Sequence, residues 1–324
     1  MKMSDTTITI RGVDSNIWKE FQSGIVSLYG NLYGNIGQEV TNALKVWLER
    51  YRGRESAVGI PSNRLSVSYN DVGGLKEEIK MIKETVEIPL RHPELFKWLN
   101  LISPKGVLIY GPPGTGKNIL ARAAAAEAKA QLYILSIQRM ISEPNEMRLR
   151  SVFQRARENA PSVILIPDLA IMAINRQKVP GDPLSQILSW LLSEMDALED
   201  FCQVVVIGIA SSPEELEPSL RQRFQREIEV SRPDRQGRYE ILSILTRKMP
   251  IADDVDLEKL ADMTDKYQGV YLLKICQEAA TLALRRTLEQ EKITEDEIPQ
   301  EKLERIKISM DDFLKALNSV KPEA

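Results

Sequence analysis

The chain opens on an alternation. Thr6-Thr7-Ile8-Thr9-Ile10-Arg11 sets polar against apolar positions with a period of two, which predicts a strand with one buried face. Asp14 or Ser15 can cap a following helix that carries Trp18, Phe21, Ile25 and Leu28 at spacings of three and four. After the turn-rich segment 30–37 a second helix places Val40, Ala43, Leu44, Trp47, Leu48 and Tyr51 on one stripe. A strand and two amphipathic helices of this size cannot close a core alone, so this unit is expected to dimerise. Residues 53–66 lack periodicity and read as a linker. From Val67 to about Glu229 the pattern changes: apolar runs at 107–110, 132–135, 163–166 and 204–207 alternate with helical stretches, which predicts a parallel sheet wrapped by helices. From Arg232 onward the pattern is almost wholly helical, including Val270 to Leu288 and Met310 to Leu317. The expected division is 1–52, 53–66, 67–230 and 231–324.

One of these apolar runs leads into chemistry. Gly111-Pro112-Pro113-Gly114-Thr115-Gly116-Lys117-Asn118 lies between the run 106–110 and the Ala-rich stretch 119–126, the strand–loop–helix setting of a phosphate-binding loop. Its glycines let backbone N–H groups close around phosphate oxygens, the helix N-terminus adds partial positive charge, and Lys117 reaches the outer phosphates. The usual last residue is Ser or Thr, whose hydroxyl binds Mg²⁺; here it is Asn118.

Composition narrows the setting. The 324 residues are 43% hydrophobic and 27% charged, with a formal net charge of −3, which argues against an overall basic nucleic-acid coat but leaves a local contact open. Cys202 and Cys276, far apart in apolar segments, suggest buried thiols in a reduced, cytoplasmic setting. No apolar stretch has the length of a membrane span and the N-terminus lacks a signal-peptide core, so no membrane partner is expected. His92, in Arg91-His92-Pro93-Glu94, reads as structural.

Residues 1–52 resemble, in element order, the ribbon-helix-helix fold of the Arc, MetJ and CopG type. In that fold two chains pair their strands into an antiparallel ribbon that enters the major groove of double-stranded DNA. With Ile8 and Ile10 facing the core, Thr7, Thr9 and Arg11 would face the bases, and the segment near Gln38 would present backbone N–H groups to phosphate. Six basic against five acidic residues is a weak balance for DNA binding, and a module that only dimerises is the alternative.

The segments 67–75 and 88–96, followed by the phosphate loop, Val205-Val206-Ile207-Gly208, Leu220-Arg221, Arg226-Glu227-Ile228, 276–280 and 310–317, resemble one AAA+ module of the valosin-containing-protein class over residues 67–324. That resemblance implies an α/β P-loop domain with a helical lid, ATP or ADP bound at subunit interfaces, ring assembly and, in working members, ATP-driven protein remodelling. It places adenine contacts at Val72 and Gly73, a lid contact at Gly269, and phosphate contacts at Pro113, Gly114, Thr115, Gly116 and Lys117. A lid position that is His in close relatives is Leu245 here, which implies a weaker nucleoside grip.

The catalytic positions depart from the family. An apolar strand should end in Asp-Glu, with Asp ordering Mg²⁺ and Glu activating water; here 163–166 is followed by Pro167-Asp168. Proline offers no side-chain oxygen, and Asp168 at the Glu position is one methylene, about 1.5 Å, short. Asp168 could replace the missing Asp only through a local distortion, because adjacent side chains of an extended segment face opposite ways. The water-positioning residue, normally Asn, aligns with Ser211; Arg223 matches one arginine finger, and the other finger position stays open. The aromatic loop that grips polypeptide in the ring pore is reduced to Glu143-Pro144-Asn145, so threading is not expected. No metal-ligating set is expected, and Mg²⁺ should be held weakly or not at all by the protein. The expected function is therefore DNA-attached nucleotide binding with little or no hydrolysis, in which ATP closes subunit interfaces and multiple arms gain avidity. The alternatives are a slow ATPase remodelling DNA-bound proteins, and a non-catalytic partner that lends Arg223 to an active AAA+ neighbour.

Overall fold

The computed structural model describes residues 67–172, 182–199, 203–291 and 306–322, and seven positions nearer the N-terminus (18, 19, 21–23, 25 and 40). The chain forms two compact units, Met1–Ala57 and Val58–Ala324. In the first, the described positions are helical; Trp18 and Phe21 stack at 5.8 Å between ring centroids, and Ile25 is buried. The ribbon residues Thr7, Thr9 and Arg11, the segment at Gln38 and the linker 53–66 lie outside the described residues.

The second unit is built on five parallel strands: β1 (Gly106–Tyr110), β2 (Gln131–Ile134), β3 (Ser162–Ile166), β4 (Val204–Ala210) and β5 (Arg226–Glu229), in the order β2-β3-β4-β1-β5. The four expected strands are present. Successive residues of the apolar runs enter opposite layers: Leu108, Ile164 and Val206 pack with Phe153, Ile187 and Leu191, whereas Val107, Ile109, Val163 and Val205 pack with Ile82, Val86 and Leu120. This burial of both faces is why the strands read as continuous apolar runs rather than alternations.

Helices cover both faces. Before β1 come α1 (Lys76–Ile82), a π-helical turn (Lys83–Glu87), α2 (Ile88–Arg91) and α3 (Pro93–Trp98). Then follow α4 (Lys117–Glu127), α5 (Ile137–Ser142), α6 (Glu146–Glu158), α7 (Pro183–Asp196) and the short α8 (Pro218–Arg221). The Ala-rich α4 combines high helix propensity with small side chains: Ala121, Ala123, Ala124 and Ala125 are buried against the sheet layer. His92 sits at the surface with Nδ1 3.1 Å from Glu94 Oε1. No helix among the described residues is long and apolar enough to cross a membrane.

The C-terminal helical part comprises α9 (Arg235–Thr246), α10 (Leu257–Met263), α11 (Gly269–Glu291) and α12 (Met310–Ser319) around Leu242, Leu260, Leu272, Ile275 and Phe313. Cys276 is buried among them, and burial pushes its thiol up to about 12; Cys202 lies outside the described residues. Asp312 locks α12 in place. Its Oδ2 accepts from the Ser309 amide at 2.9 Å, the Ser309 hydroxyl at 2.8 Å and Arg286 Nη2 at 2.8 Å, with the residue 2% exposed. Burial alone would raise its pKa; the Ser309 amide and hydroxyl and Arg286 outweigh burial and hold it below the usual carboxylate range. A depressed folded-state pKa stabilises above the ordinary Asp range, and that contribution is lost as pH falls through the depressed value. Asp312→Ala should therefore destabilise the protein by about 2 kcal/mol at neutral pH, with the difference from the unmutated protein shrinking in strong acid; thermal melts across pH check both.

Candidate nucleotide-binding site

Three segments distant in sequence meet at the carboxyl end of β1. The first is the phosphate loop. Its root is fixed on both sides: Gly111 N donates to Ser211 O at 3.1 Å beyond β4, and Val230 N beyond β5 donates to Tyr110 O at 2.8 Å. Gly114 (φ 76°) and Gly116 (φ 100°) adopt left-handed backbone conformations that glycine alone takes without strain. The curl closes on itself, with Thr115 Oγ1 donating to Pro112 O at 3.0 Å. Lys117, only 8% exposed, directs Nζ at Gly111 O (2.7 Å) and Pro112 O (2.6 Å). Burial lowers its pKa, because two neutral carbonyls do not replace water around an ammonium. Asn118 is exposed on the first turn of α4.

The second segment is the strap 71–76, which packs on α9. A Cβ on Gly74 would lie 2.7 Å from Gly237 Cα, and one on Gly73 2.8 Å from Ile241 N, so backbone meets backbone only because these residues are glycine. Gly74 N donates to Glu240 Oε2 at 3.0 Å, Lys76 Nζ pairs with Glu240 Oε1 at 2.6 Å, and Arg247 pairs with Asp71 at 2.7 Å. Lys76 first, and the Gly74 amide after it, hold the Glu240 carboxyl below its ordinary value against the opposing effect of burial. Val72 is buried in this strap, and Leu75 approaches Gly116. The third segment is the start of α11, where Val270 N donates to Gly114 O at 3.3 Å and Gly269 abuts the same carbonyl. The strap and the start of α11 thus both meet the loop, Leu75 beside Gly116 and Gly269 and Val270 beside Gly114, while Gly73 meets α9. Asp71, Glu240 and Arg247, which bind strap to lid, were not singled out from the sequence; they pair across 166 or 176 positions, with no local signal.

The residues aligned with catalysis are used otherwise. Asp168 Oδ2 accepts from Ser136 Oγ (2.8 Å) and Gln138 N (2.9 Å), and Oδ1 accepts from Ile137 N (3.0 Å), so the carboxylate caps α5 from outside. Ser211 is exposed, and its backbone carbonyl holds the loop root. Arg223 makes a two-pronged pair with Asp196 (3.0 and 2.9 Å) and donates to Ser219 O at 3.0 Å. Arg221 pairs in the same way with Glu227 (2.7 and 3.1 Å). The loop Glu143-Pro144-Asn145 is exposed, and Asn145 caps α6 by accepting from Arg148 N at 3.2 Å.

This donor set fits a polyphosphate: two left-handed glycines, a desolvated ammonium and the unsatisfied first amides of α4 converge on it. A nucleotide bound here would be held by the 113–117 backbone and Lys117. Mg²⁺ fits poorly. Asn118 carries no hydroxyl, Pro167 no side-chain oxygen, and both Asp168 oxygens are taken.

Residues 107–232 match the family described as ATPase family associated with various cellular activities (AAA), and residues 286–323 match the Vps4 C terminal oligomerisation domain. The chain is 46% identical over 263 residues to the cell division cycle protein 48 homolog of Archaeoglobus fulgidus, covering 80% of this chain and 36% of that protein. It is 42% identical over 290 residues to protein SAV of Sulfolobus acidocaldarius, covering 87% and 37% respectively. With protein CdcH of Halobacterium salinarum it shares 41% identity over 263 residues, covering 80% and 35%. The chain thus spans little more than a third of the length of these relatives. The parallel sheet, with the phosphate loop at the end of its β1, and these matches together give residues 107–232 the P-loop fold of the AAA ATPase family, and the chain is similar to the archaeal Cdc48-like proteins.

Proposed function

We propose that this protein binds ATP or ADP but hydrolyses ATP little or not at all, and that the nucleotide is a structural ligand of assembly. The observation that carries this reading is the capping role of Asp168. It occupies the position of the family's water-activating Glu, yet three donors of the β2–α5 junction engage its two oxygens. Asn118, Pro167 and Ser211 remove the metal contacts and the water-positioning amide from the same reaction. Phosphoryl transfer depends on placing metal, water and charge together, and one arginine finger alone can be worth ~10³-fold. The cap also counts against a slow ATPase using Asp168, and the Asp196 pair counts against a ready finger at Arg223.

Self-association is supported by the match of 286–323 to an oligomerisation domain. It is further supported by the exposed apolar side chains Leu95, Trp98 (88% exposed), Leu99, Leu101 and Ile102 around the end of α3. Attachment of the assembly to double-stranded DNA through Thr7, Thr9 and Arg11, with Gln38 near phosphate, rests on the sequence pattern of residues 1–52. Several arms on adjacent sites would offset the weak charge of one.

Wild-type protein should bind ATP and ADP in calorimetric titrations while steady-state hydrolysis stays at background; ordinary turnover, about 1–10³ s⁻¹, would overturn the reading. Lys117→Ala should abolish binding, because it removes the loop's own cation.

Asp168→Ala should lower the melting temperature through loss of about 1–2 kcal/mol, and Asp168→Glu alone should not raise hydrolysis. Recovery, if obtained, should need Asn118→Thr, Pro167→Asp, Asp168→Glu and Ser211→Asn together. A single Asp168→Glu variant with ordinary turnover would show the cap to be expendable and the base position live.

In gel-shift titrations, full-length protein should bind duplex DNA more tightly than the isolated 1–52 arm. Arg11→Ala should relax sequence preference by about 1–3 kcal/mol. No affinity for any duplex at low salt would leave the arm as a dimerisation module.

A further inference from the structure

Mg²⁺ is a hard cation that demands an octahedral shell of oxygens, usually one or two carboxylates beside the phosphates themselves. At the carboxyl end of this sheet the side-chain oxygens are committed elsewhere. Thr115 Oγ1, the one hydroxyl of the phosphate loop, turns inward and donates to Pro112 O at 3.0 Å, with the residue 6% exposed. Past β2 and β3, Ser136 Oγ donates to Asp168, and both oxygens of Asp168 are held at the start of α5. Past β4, the Glu214 carboxylate is engaged by Ser212 and Arg221. Among the described residues no three His, Cys, Asp or Glu side chains gather where they could hold an ion. What remains beside the loop is neutral and exposed: the Ser211 hydroxyl and the Asn118 carboxamide.

The loop does keep its own cation. Lys117 is 8% exposed, with Nζ on the Gly111 and Pro112 carbonyls. Attraction to a charge so placed grows with the charge of the ligand. Mg²⁺ on a polyphosphate cancels part of that charge, and two neutral oxygens give the metal little in exchange for its water. We propose that the form of ATP or ADP captured by this loop is the metal-free polyphosphate, so that Mg²⁺ competes with the protein for the nucleotide instead of bridging the two. This rests on the nucleotide-binding reading above and specifies the chemical species bound. It also gives binding a second input. A triphosphate, with more oxygens and more charge, holds Mg²⁺ more tightly than a diphosphate does. Rising free Mg²⁺ therefore withdraws ATP from the loop more than ADP and shifts the occupant toward ADP.

The test is titration of ATP and ADP into the full-length protein, in EDTA and at a fixed excess of free Mg²⁺. Ionic strength is matched with KCl, because screening alone weakens the attraction. With free Mg²⁺ at about ten times the dissociation constant of the Mg²⁺–ATP complex, ATP should bind about 10-fold more weakly than in EDTA, the mass-action factor when only metal-free nucleotide binds. ADP should weaken less at the same free Mg²⁺. Asn118→Thr with Pro167→Asp returns a hydroxyl and a carboxylate to the metal's side of the site, and in that variant Mg²⁺ should no longer weaken ATP; thermal melts confirm that it folds. Lys117→Ala should bind neither nucleotide in either medium. ATP binding by the unmutated protein as tight in Mg²⁺ as in EDTA, or tighter, would overturn the inference and leave the nucleotide reading intact. Absence of binding in both media would overturn that reading as well.

Discussion

The site depends on where β1 delivers the chain. β1 is hydrogen-bonded on one side to β4 and on the other to β5, and the hydrogen bonds at Gly111 and Tyr110 extend that grip one residue past the strand. The loop therefore starts from a root that cannot shift without breaking the middle of the sheet. What remains adjustable is the curl, and inside it lies a charge that its surroundings do not neutralise. Lys117 is surrounded by neutral carbonyls and deprived of most of its water. A polyphosphate relieves that deficit where a neutral ligand would not, so selectivity for anions follows from burial of the ammonium as much as from the glycines.

The flanks of the loop are held by contacts of a different kind. The exposed Asp71–Arg247 pair is worth little by itself. The close approach of Gly74 to Gly237 is sterically exacting, because a Cβ on Gly74 would lie 2.7 Å from Gly237 Cα and force the strap off α9. Glu240 then ties down the amide and the lysine that the approach brings near. Strap and lid are thus tied together, and the lid reaches the phosphate loop again at Gly114. A ligand gripping that loop bears on both ends of the helical part at once.

How much of this was legible in the sequence depends on how far apart the partners lie. β1, β3 and β4 announce themselves as apolar runs because both of their faces are covered. β5 does not: in Arg226-Glu227-Ile228-Glu229 only Ile228 is buried, as suits a short strand at the sheet's edge. The phosphate loop was readable in full, since its chemistry lies within eight consecutive residues. The strap-to-lid bonds were not, because nothing in local periodicity reports a partner more than a hundred residues away. Comparison with a family motif reveals that Asp168 stands where Glu is expected. It does not reveal that the carboxylate reaches Ser136 and the start of α5, 32 positions earlier. The ribbon pattern of the first unit falls on residues outside those described, and the case for it remains the alternation of Thr and Ile.

That reach of Asp168 is also the strongest physical argument about turnover. A general base needs a lone pair directed at water, and here the carboxylate already accepts one hydroxyl and two backbone amides. To act on water it would have to swing away and leave the Ile137 and Gln138 amides without their acceptor. Each stranded group costs about 1–3 kcal/mol where water cannot reach it. The shorter side chain explains the arrangement: Asp reaches the α5 amides with little conformational freedom to lose, whereas Glu would have to fold its extra methylene to satisfy the same three donors. Lengthening the residue therefore works against the cap before it can work for catalysis. Pro167 beside it carries no side-chain oxygen. At the end of β3, Asp168 holds the start of α5 in place.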